Sequence, residues 1–266
     1  MINPGVLEST FLPRLLPYRE NEHKYIAECI KPLIEKRNGR SLLITGGPGI
    51  GKTACVKFIF RKMIEEGIDN IITLYVNCWK SDTSQKIAYR MAEQLSIRTE
   101  GKYSEEITDL VIKKLNTYDG VVFAFDEIDR LQDWNLIYRI LEDVRYKTIL
   151  MITNIPESIA RLDSRLLSRL MVERLDFKPY NYEEIRGILR EREQYAFAPN
   201  SWDYDAFEQV IKRVHEAKDI RVGLFLLKHS AELAESRGSE KIMIEDVNAA
   251  IEKLKDFYTK GLQRFE

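Results

Sequence analysis

Apolar positions recur along this chain with two different periods. From Glu20 to Lys36, the residues Tyr25, Ile26, Cys29, Ile30, Leu33 and Ile34 repeat at helical spacing, and Asn38-Gly39 supplies a stop. Ser41 to Thr45 is a short apolar run and predicts a strand. Helical spacing returns over Lys52 to Glu66 and ends at Gly67; Ile71 to Val76, rich in β-branched residues, predicts a second strand. Helices follow over Ser81 to Leu95, with Asp82, Thr83 or Ser84 as cap, and over Glu105 to Leu115. Val121 to Phe125 is apolar at every position, which suits a central strand covered on both faces. A helix over Trp134 to Val144, a strand over Thr148 to Thr153, a short helix over Leu162 to Leu170 and a strand over Val172 to Phe177 complete the alternation. Strands alternating with helices predict a parallel α/β sheet with right-handed crossovers.

After Pro179 the strand pattern stops. Asn181 with Glu184 three positions on forms a capping box for a helix to about Tyr195. Asp203 to Glu216, Ile220 to Ser236 and Ile244 to Phe257 make four helices in all. The predicted organisation is an α/β domain over 1–180, whose first nineteen residues with Pro4, Pro13 and Pro17 form an extended arm, followed by a helical domain over 181–266.

Composition narrows the function classes. The 266 residues are 44 % hydrophobic and 31 % charged, enough for a sizeable core and too apolar for a disordered chain. Lys and Arg number 41 against 42 Asp and Glu, and neither part strays far from neutrality when the chain is divided at Tyr180. Neither part therefore has the basic excess typical of a compact nucleic-acid binder, although a local patch is compatible with this balance. No apolar run is long enough to span a bilayer, and the N-terminus lacks a signal-peptide pattern. Cys29, Cys55 and Cys78 match no metal spacing, and His23, His215 and His229 show no ligand spacing, so all six read as structural or solvated. Trp79, Trp134 and Trp202 are read as packing residues rather than base-stacking platforms. The expected setting is a reducing cytoplasm, away from membranes.

Gly46-Gly47-Pro48-Gly49-Ile50-Gly51-Lys52-Thr53 fits G-x-x-x-x-G-K-[ST], with a strand before it and a helix after it. Glycines let backbone N–H groups converge on phosphate oxygens, and the helix N-terminus adds its positive dipole end. Lys52 is expected at the β- and γ-phosphates of ATP and Thr53 at Mg²⁺; the loop from Gly46 through Ala54 is expected to line the nucleotide. The strand Phe123-Ala124-Phe125 runs into Asp126-Glu127, two carboxylates at the ligand edge of the sheet. Asp126 is expected to hold Mg²⁺ through its water shell, and Glu127 to orient and deprotonate the attacking water. Asn154 ends the fourth strand; its amide suits a phosphate or the lytic water, yet an Asn before Pro156 also simply begins a turn. Arg165 and Arg169 share one helix face, and Arg221 begins a helix of the second domain. Each suits transition-state charge, and each is equally an ordinary surface cation.

Taken together these stretches resemble the AAA+ ATPases, and within them the archaeal replication-initiator family related to the origin recognition complex. Leu16-Pro17-Tyr18-Arg19-Glu20-Asn21-Glu22 resembles the family's leading segment near the adenine, and Val76-Asn77-Cys78 its second-strand ending. Phe125-Asp126-Glu127-Ile128-Asp129-Arg130-Leu131 resembles its acidic box, and Phe177-Lys178-Pro179-Tyr180 its hinge into the lid. Asp219-Ile220-Arg221 followed by Leu226-Leu227 resembles a lid helix. The resemblance implies an α/β P-loop AAA+ module, a five-stranded parallel sheet with flanking helices, followed by a small all-helical lid. It implies Asn154 as first sensor, Arg221 as second sensor, and Arg169, or else Arg165, as the arginine given to a neighbouring subunit. It places Tyr18, Arg19, Tyr180 and Ile188 around the adenine. Family members usually continue into a winged helix that enters a DNA groove, and this chain stops at Glu266; the main DNA-reading element is expected to be absent, as in a shortened paralogue or one half of a split gene.

The expected function is Mg²⁺-dependent binding and hydrolysis of ATP, weak in the isolated chain, in replication initiation or a related DNA transaction. The expected partners are ATP or ADP, double-stranded DNA bound weakly and without sequence preference, and a second copy or another AAA+ subunit exchanging Arg169. Two alternatives stay open: a switch or interaction module that holds ATP or ADP with negligible turnover alone, and an ATPase for helicase or clamp loading or for transposition.

Overall fold

All five strands of the computed structural model pair in parallel, in the order β2-β3-β4-β1-β5. The structure describes residues 1–155, 157 and 164–262, without the side chains of 164, 165, 167 and 256–262. Pro156, and Leu162 and Asp163 at the start of the predicted short helix, lie outside the described residues. The strands are β1 (Leu42–Thr45), β2 (Ile71–Asn77), β3 (Gly120–Asp126), β4 (Lys147–Ile152) and β5 (Glu173–Asp176). The helices between and around them are α1 (Glu20–Ile30), α2 (Lys52–Glu65), α3 (Ser84–Gln94), α4 (Ser104–Leu115), α5 (Asn135–Asp143) and α6 (Ser164–Leu170). Four more follow: α7 (Tyr182–Ala196), α8 (Tyr204–Ala217), α9 (Ile220–Ser236) and α10 (Ile244–Leu262).

The chain divides into two compact units. The α/β unit comprises 19–46 and 51–178. Its interior strand β3 is buried at all seven positions, as the unbroken apolar run within it requires. Alternate residues face opposite ways: Val121, Phe123 and Phe125 join Leu74, Val76, Ile149 and Met151 in one large cluster with α3, α4 and α5. The other face meets the end of α1 and the segment after it, where Leu33 packs against Gly120 and the Cys29 carbonyl accepts from the Thr148 hydroxyl at 3.4 Å. Pro32 ends the α-helix earlier than the apolar spacing suggests, and Lys31–Glu35 continues as a 3₁₀ turn. The helix expected from Ser81 begins at Ser84, because the Thr83 hydroxyl accepts the Lys86 N–H and sets the cap there.

The helical unit comprises 1–18, 47–50 and 179–266. Its core is built from α7 to α10 around Leu189, Phe207, Val210, Leu226, Leu227 and Val247. The Asn181–Glu184 capping box forms in full, with bonds of 2.8 and 3.0 Å. A single parallel bridge, Trp202 with Ile242, is the one piece of β-pairing among its described residues.

The N-terminal arm departs from expectation. It belongs with the helical unit, not with the α/β domain, and Pro4–Leu7 is a 3₁₀ turn rather than extended chain. Val6 and Leu7 are buried, Leu7 in the helical core, and Ile2 N–H donates to the Ala196 carbonyl at 2.8 Å. Two apolar side chains that gain a core outweigh the lack of any periodic pattern in the arm. No helix among the described residues is long and apolar enough to cross a membrane.

Candidate functional site

The sheet order places the C-terminal ends of β1, β4 and β3 side by side, which is where ligands bind in parallel α/β sheets. Each of these ends carries a predicted site residue. After β1 the chain turns through Gly46 (φ 138°) and Gly51 (φ 94°), backbone conformations that glycine adopts without strain. Gly51 caps α2, so Lys52 and Thr53 occupy its first turn. Lys52 is buried, and its ammonium donates to Asn154 Oδ1 at 2.6 Å and to the Gly46 carbonyl at 2.8 Å. A buried cation needs such acceptors. Thr53 Oγ1 donates to Asp126 Oδ2 at 2.8 Å, and Asp126 itself is only 5 % exposed. Thus Lys52, Thr53, Asp126, Glu127 and Asn154, far apart in sequence, converge in one unit.

Glu127 sits just past β3 in the left-handed region (φ 54°), an unusual conformation for a side chain of this kind. Its backbone N–H donates to Asp126 Oδ1 at 3.0 Å, and its carboxylate accepts from Asn77 Nδ2 at 3.0 Å. Two further groups complete the surroundings. Tyr75 donates its hydroxyl to Asp126 Oδ2 at 2.6 Å; burial first, then the Asp126 charge, push the phenol's pKa upward, so it stays a donor. Thr153 donates to Asp129 Oδ1 at 2.7 Å, which fixes the backbone just before Asn154. Tyr75 and Thr153 escape a motif reading, Asn77 enters it only as a strand ending and Asp129 only as part of the acidic box. The available signal is the period of two in β2, which puts Thr73, Tyr75 and Asn77 on one face and leaves Leu74 and Val76 for the core.

The oxygen donors Thr53 Oγ1 and the Asp126 carboxylate are hard ligands of the kind Mg²⁺ takes, and Lys52 suits phosphate charge. The residues therefore fit a Mg²⁺–nucleotide. Cys55 and Cys78 nearby are fully buried; burial raises the Cys78 thiol to about 12, and the Asp126 charge adds to this. Neither is a nucleophile or a metal thiolate at neutral pH.

Other predicted residues are placed elsewhere. Arg19 is buried, donating to Glu22 at 2.8 Å and to the Lys178 carbonyl at 2.7 Å, with its guanidinium over the Phe177 ring. Arg169 is half exposed and paired with Glu142, its guanidinium 5.8 Å from the Tyr138 ring centre. The side chain of Arg165 lies outside the described residues. In the helical unit, Tyr180 is buried in the core and Ile188 is half-buried against it. Tyr18 lies against Gly187, where a Cβ would meet its hydroxyl at 2.2 Å. The loop tip, with Gly47 and Pro48 exposed and Ile50 buried, clusters with this unit: the Gly49 carbonyl accepts from Ile220 N–H at 3.2 Å. Gly49 (φ 63°) tolerates no side chain, because a Cβ would meet Asp219 at 1.6 Å. Arg221 is paired with the same Asp219 through bonds of 2.6 to 3.1 Å.

Comparison with known proteins agrees with this arrangement. Residues 35–161 match the AAA domain family, and residues 186–252 match the Cdc6 AAA+ ATPase-type lid domain. ORC1-type DNA replication protein 1 of Halobacterium salinarum is 31 % identical over 252 residues, spanning 91 % of this chain and 80 % of that protein. ORC1-type DNA replication protein 1 of Sulfurisphaera tokodaii is 33 % identical over 265 residues, spanning 93 % of this chain and 65 % of that protein. The solved structure of the Aeropyrum pernix ORC1 protein in complex with DNA superposes with a TM-score of 0.85 at 28 % identity, covering 95 % of this chain and 69 % of that one. The RuvB protein of Thermotoga maritima shares the fold more distantly, with a TM-score of 0.59. Five parallel strands, Lys52 and Thr53 after a glycine-rich loop with Thr53 bonded to Asp126, a lid-type helical unit and 31 % identity in an alignment over nine-tenths of the chain lead to one assignment: the chain belongs to the family of ORC1-type DNA replication proteins, AAA+ proteins with a Cdc6-type lid.

Proposed function

We propose that this chain binds ATP or ADP with Mg²⁺ on the loop from Gly46 to Ala54, and hydrolyses ATP to ADP and phosphate in the cytoplasm during replication initiation. The observation that carries the reading is the convergence of Lys52, Asn154, Thr53 and Asp126 through bonds of 2.6 to 2.8 Å at adjacent strand ends. Thr53 and Asp126 would hold Mg²⁺, which would supply positive charge to the phosphates. Lys52 exchanges its present acceptors for phosphate oxygens, and Asn154, already beside the ammonium, is left to orient the γ-phosphate or the lytic water. Glu127 orients that water and takes its proton. Catalysis of this kind is positioning and electrostatics, with no covalent intermediate on the protein. In this reading Arg221 answers to the γ-phosphate, and Arg169 serves the site of a second copy or another AAA+ subunit. Tyr18, Arg19, Tyr180 and Ile188 are the groups assigned to the adenine side. For Arg19 this means its aliphatic part, since its guanidinium is engaged with Glu22 and Lys178. Double-stranded DNA is the proposed macromolecular partner, by analogy with the Aeropyrum pernix relative.

A second reading has its own support. Arg169 is paired with Glu142 and Arg221 with Asp219, so two arginines that fast hydrolysis needs are engaged within this chain. A switch or interaction module that holds ATP or ADP with negligible turnover alone fits that state. The deciding experiment is steady-state ATPase activity over a range of protein concentrations, with and without double-stranded DNA. Specific activity that rises with concentration or DNA supports hydrolysis by assembled subunits. Flat, near-zero turnover with stoichiometric bound nucleotide supports the switch.

A further inference from the structure

Strand β2 gives each carboxylate of the acidic pair a donor of its own. Asn77 stands in register with Asp126 on β3, and Tyr75 two residues earlier pairs with Ala124. Both project from the same strand face. Asn77 donates to Glu127, and the longer Tyr75 side chain donates to Asp126 Oδ2 at 2.6 Å. Thr53 donates to that same oxygen at 2.8 Å. A carboxylate oxygen accepts about two hydrogen bonds in its plane. Oδ2 is therefore filled by two hydroxyls, whereas among the described residues Oδ1 accepts one bond, from Glu127 N–H, and keeps capacity for another. The Tyr75 ring is itself held, with the Lys57 ammonium 4.4 Å from its centre.

The geometry points to Tyr75 as a positioning residue that fixes the rotation of the Asp126 carboxylate, leaving Oδ1 with capacity to accept from a further donor such as the water shell of the Mg²⁺ this carboxylate would hold. This rests on the reading of Asp126 as the metal-facing carboxylate. Without the phenol, Thr53 and one backbone N–H remain to orient the group, and rotation about the Cβ–Cγ bond is less restricted. The cost falls on metal-dependent binding, because the hydroxyl is used on Asp126.

The test is the Mg²⁺ dependence of binding of a fluorescent ADP analogue to the full chain. Tyr75→Phe removes the hydroxyl and keeps the ring. Its affinity in EDTA is expected to equal that of the wild type, and its half-saturating Mg²⁺ concentration to rise about tenfold, the scale of one hydrogen bond to a charged group. Tyr75→Leu, which removes the ring as well, is expected to give the same shift. An unchanged Mg²⁺ requirement in Tyr75→Phe, or a loss of affinity already present in EDTA, overturns the assignment. So does a shift seen in Tyr75→Leu and not in Tyr75→Phe. Asp126→Asn separates the two levels of the reading. If it keeps the wild-type Mg²⁺ dependence, the metal role of Asp126 itself fails. If it loses that dependence while Tyr75→Phe behaves as wild type, only the role of Tyr75 fails.

Discussion

Replacing Glu127 by Gln should separate hydrolysis from binding. The substitution is nearly isosteric, and the structure accommodates it. The amide oxygen can accept the Asn77 Nδ2 bond now made at 3.0 Å to the carboxylate. The backbone N–H of residue 127, which orients Asp126 Oδ1, is untouched. Lys52 and Thr53 bond to Asn154, Gly46 and Asp126, and none of these bonds passes through the Glu127 side chain. The amide has lost the ability to take a proton. Removing a positioned general base typically slows a reaction about 10² to 10⁴-fold. That corresponds to roughly 3 to 5.5 kcal/mol on the barrier. Single-turnover hydrolysis of γ-labelled ATP with enzyme in excess reads the chemical step, and fluorescence titration reads nucleotide affinity. The expected result is a drop of at least about a hundredfold in the first, with affinity within about twofold of wild type. Joint loss of both, or hydrolysis left intact, would refute the role given to Glu127. Glu127→Ala is a harsher change, because it strands the Asn77 amide, and it should also lower stability by about 1 to 3 kcal/mol.

Other expectations follow from placement and burial. Arg169→Ala should leave nucleotide affinity and the thermal midpoint unchanged, since the pair with Glu142 is exposed on both sides, while removing any concentration-dependent rise in ATPase activity. Ile149, fully buried on β4, should cost about 2 to 5 kcal/mol on change to Ala, measured by urea unfolding of the α/β unit's signal. His23 stacks on Phe58 with ring centres 4.6 Å apart, and burial lowers its pKa against the opposing pull of Glu20 and Glu22. A histidine whose folded pKa is depressed favours the neutral form, so its contribution is fully present above the unfolded value near 6.5 and is lost as pH falls through that value towards the folded one. Urea midpoints of the wild type should therefore fall between pH 7.5 and 5, and His23→Gln should flatten that slope; an unaltered slope would contradict it.

What the sequence made legible was local. The strands and helices read from the sequence are found, the helices through their apolar spacing and the buried strands through short apolar runs, and Asn181 with Glu184 forms the capping box its spacing implies. The placement of the glycine-rich loop and of the acidic pair at strand ends was equally readable, since each is a run of adjacent residues next to a strand. What depended on the partner of an element was not. The arm carries Val6 and Leu7 among prolines with no repeat; both become buried, Leu7 in the helical core, and the arm's own sequence holds no sign of that partner. The true start of α3 turned on which of several polar residues wins the cap. Tyr75 and Asn77 are two polar or aromatic residues in an ordinary strand. They gain a role because β2 lies beside β3, and strand order is a property of the whole sheet.

That neighbourhood also explains how Glu127 is held in a conformation that costs a side-chain-bearing residue about 1 kcal/mol or more. The turn beginning at φ 54° is closed by Arg130 N–H to the Glu127 carbonyl at 3.0 Å. On one side Asn77 grips the carboxylate, and on the other the 127 N–H grips Asp126. The next acidic residue, Asp129, reaches across to Thr153 at the end of β4 and so anchors the backbone that presents Asn154 to Lys52. An interior strand flanked by β2 and β4 thus draws support for its carboxylates from one neighbour and lends support to the polar end of the other. Placing the acidic pair on an edge strand would forfeit one of these. The site's geometry is in this sense a consequence of strand order, and a substitution in β2 or β4 that leaves every nucleotide contact intact should still disturb it.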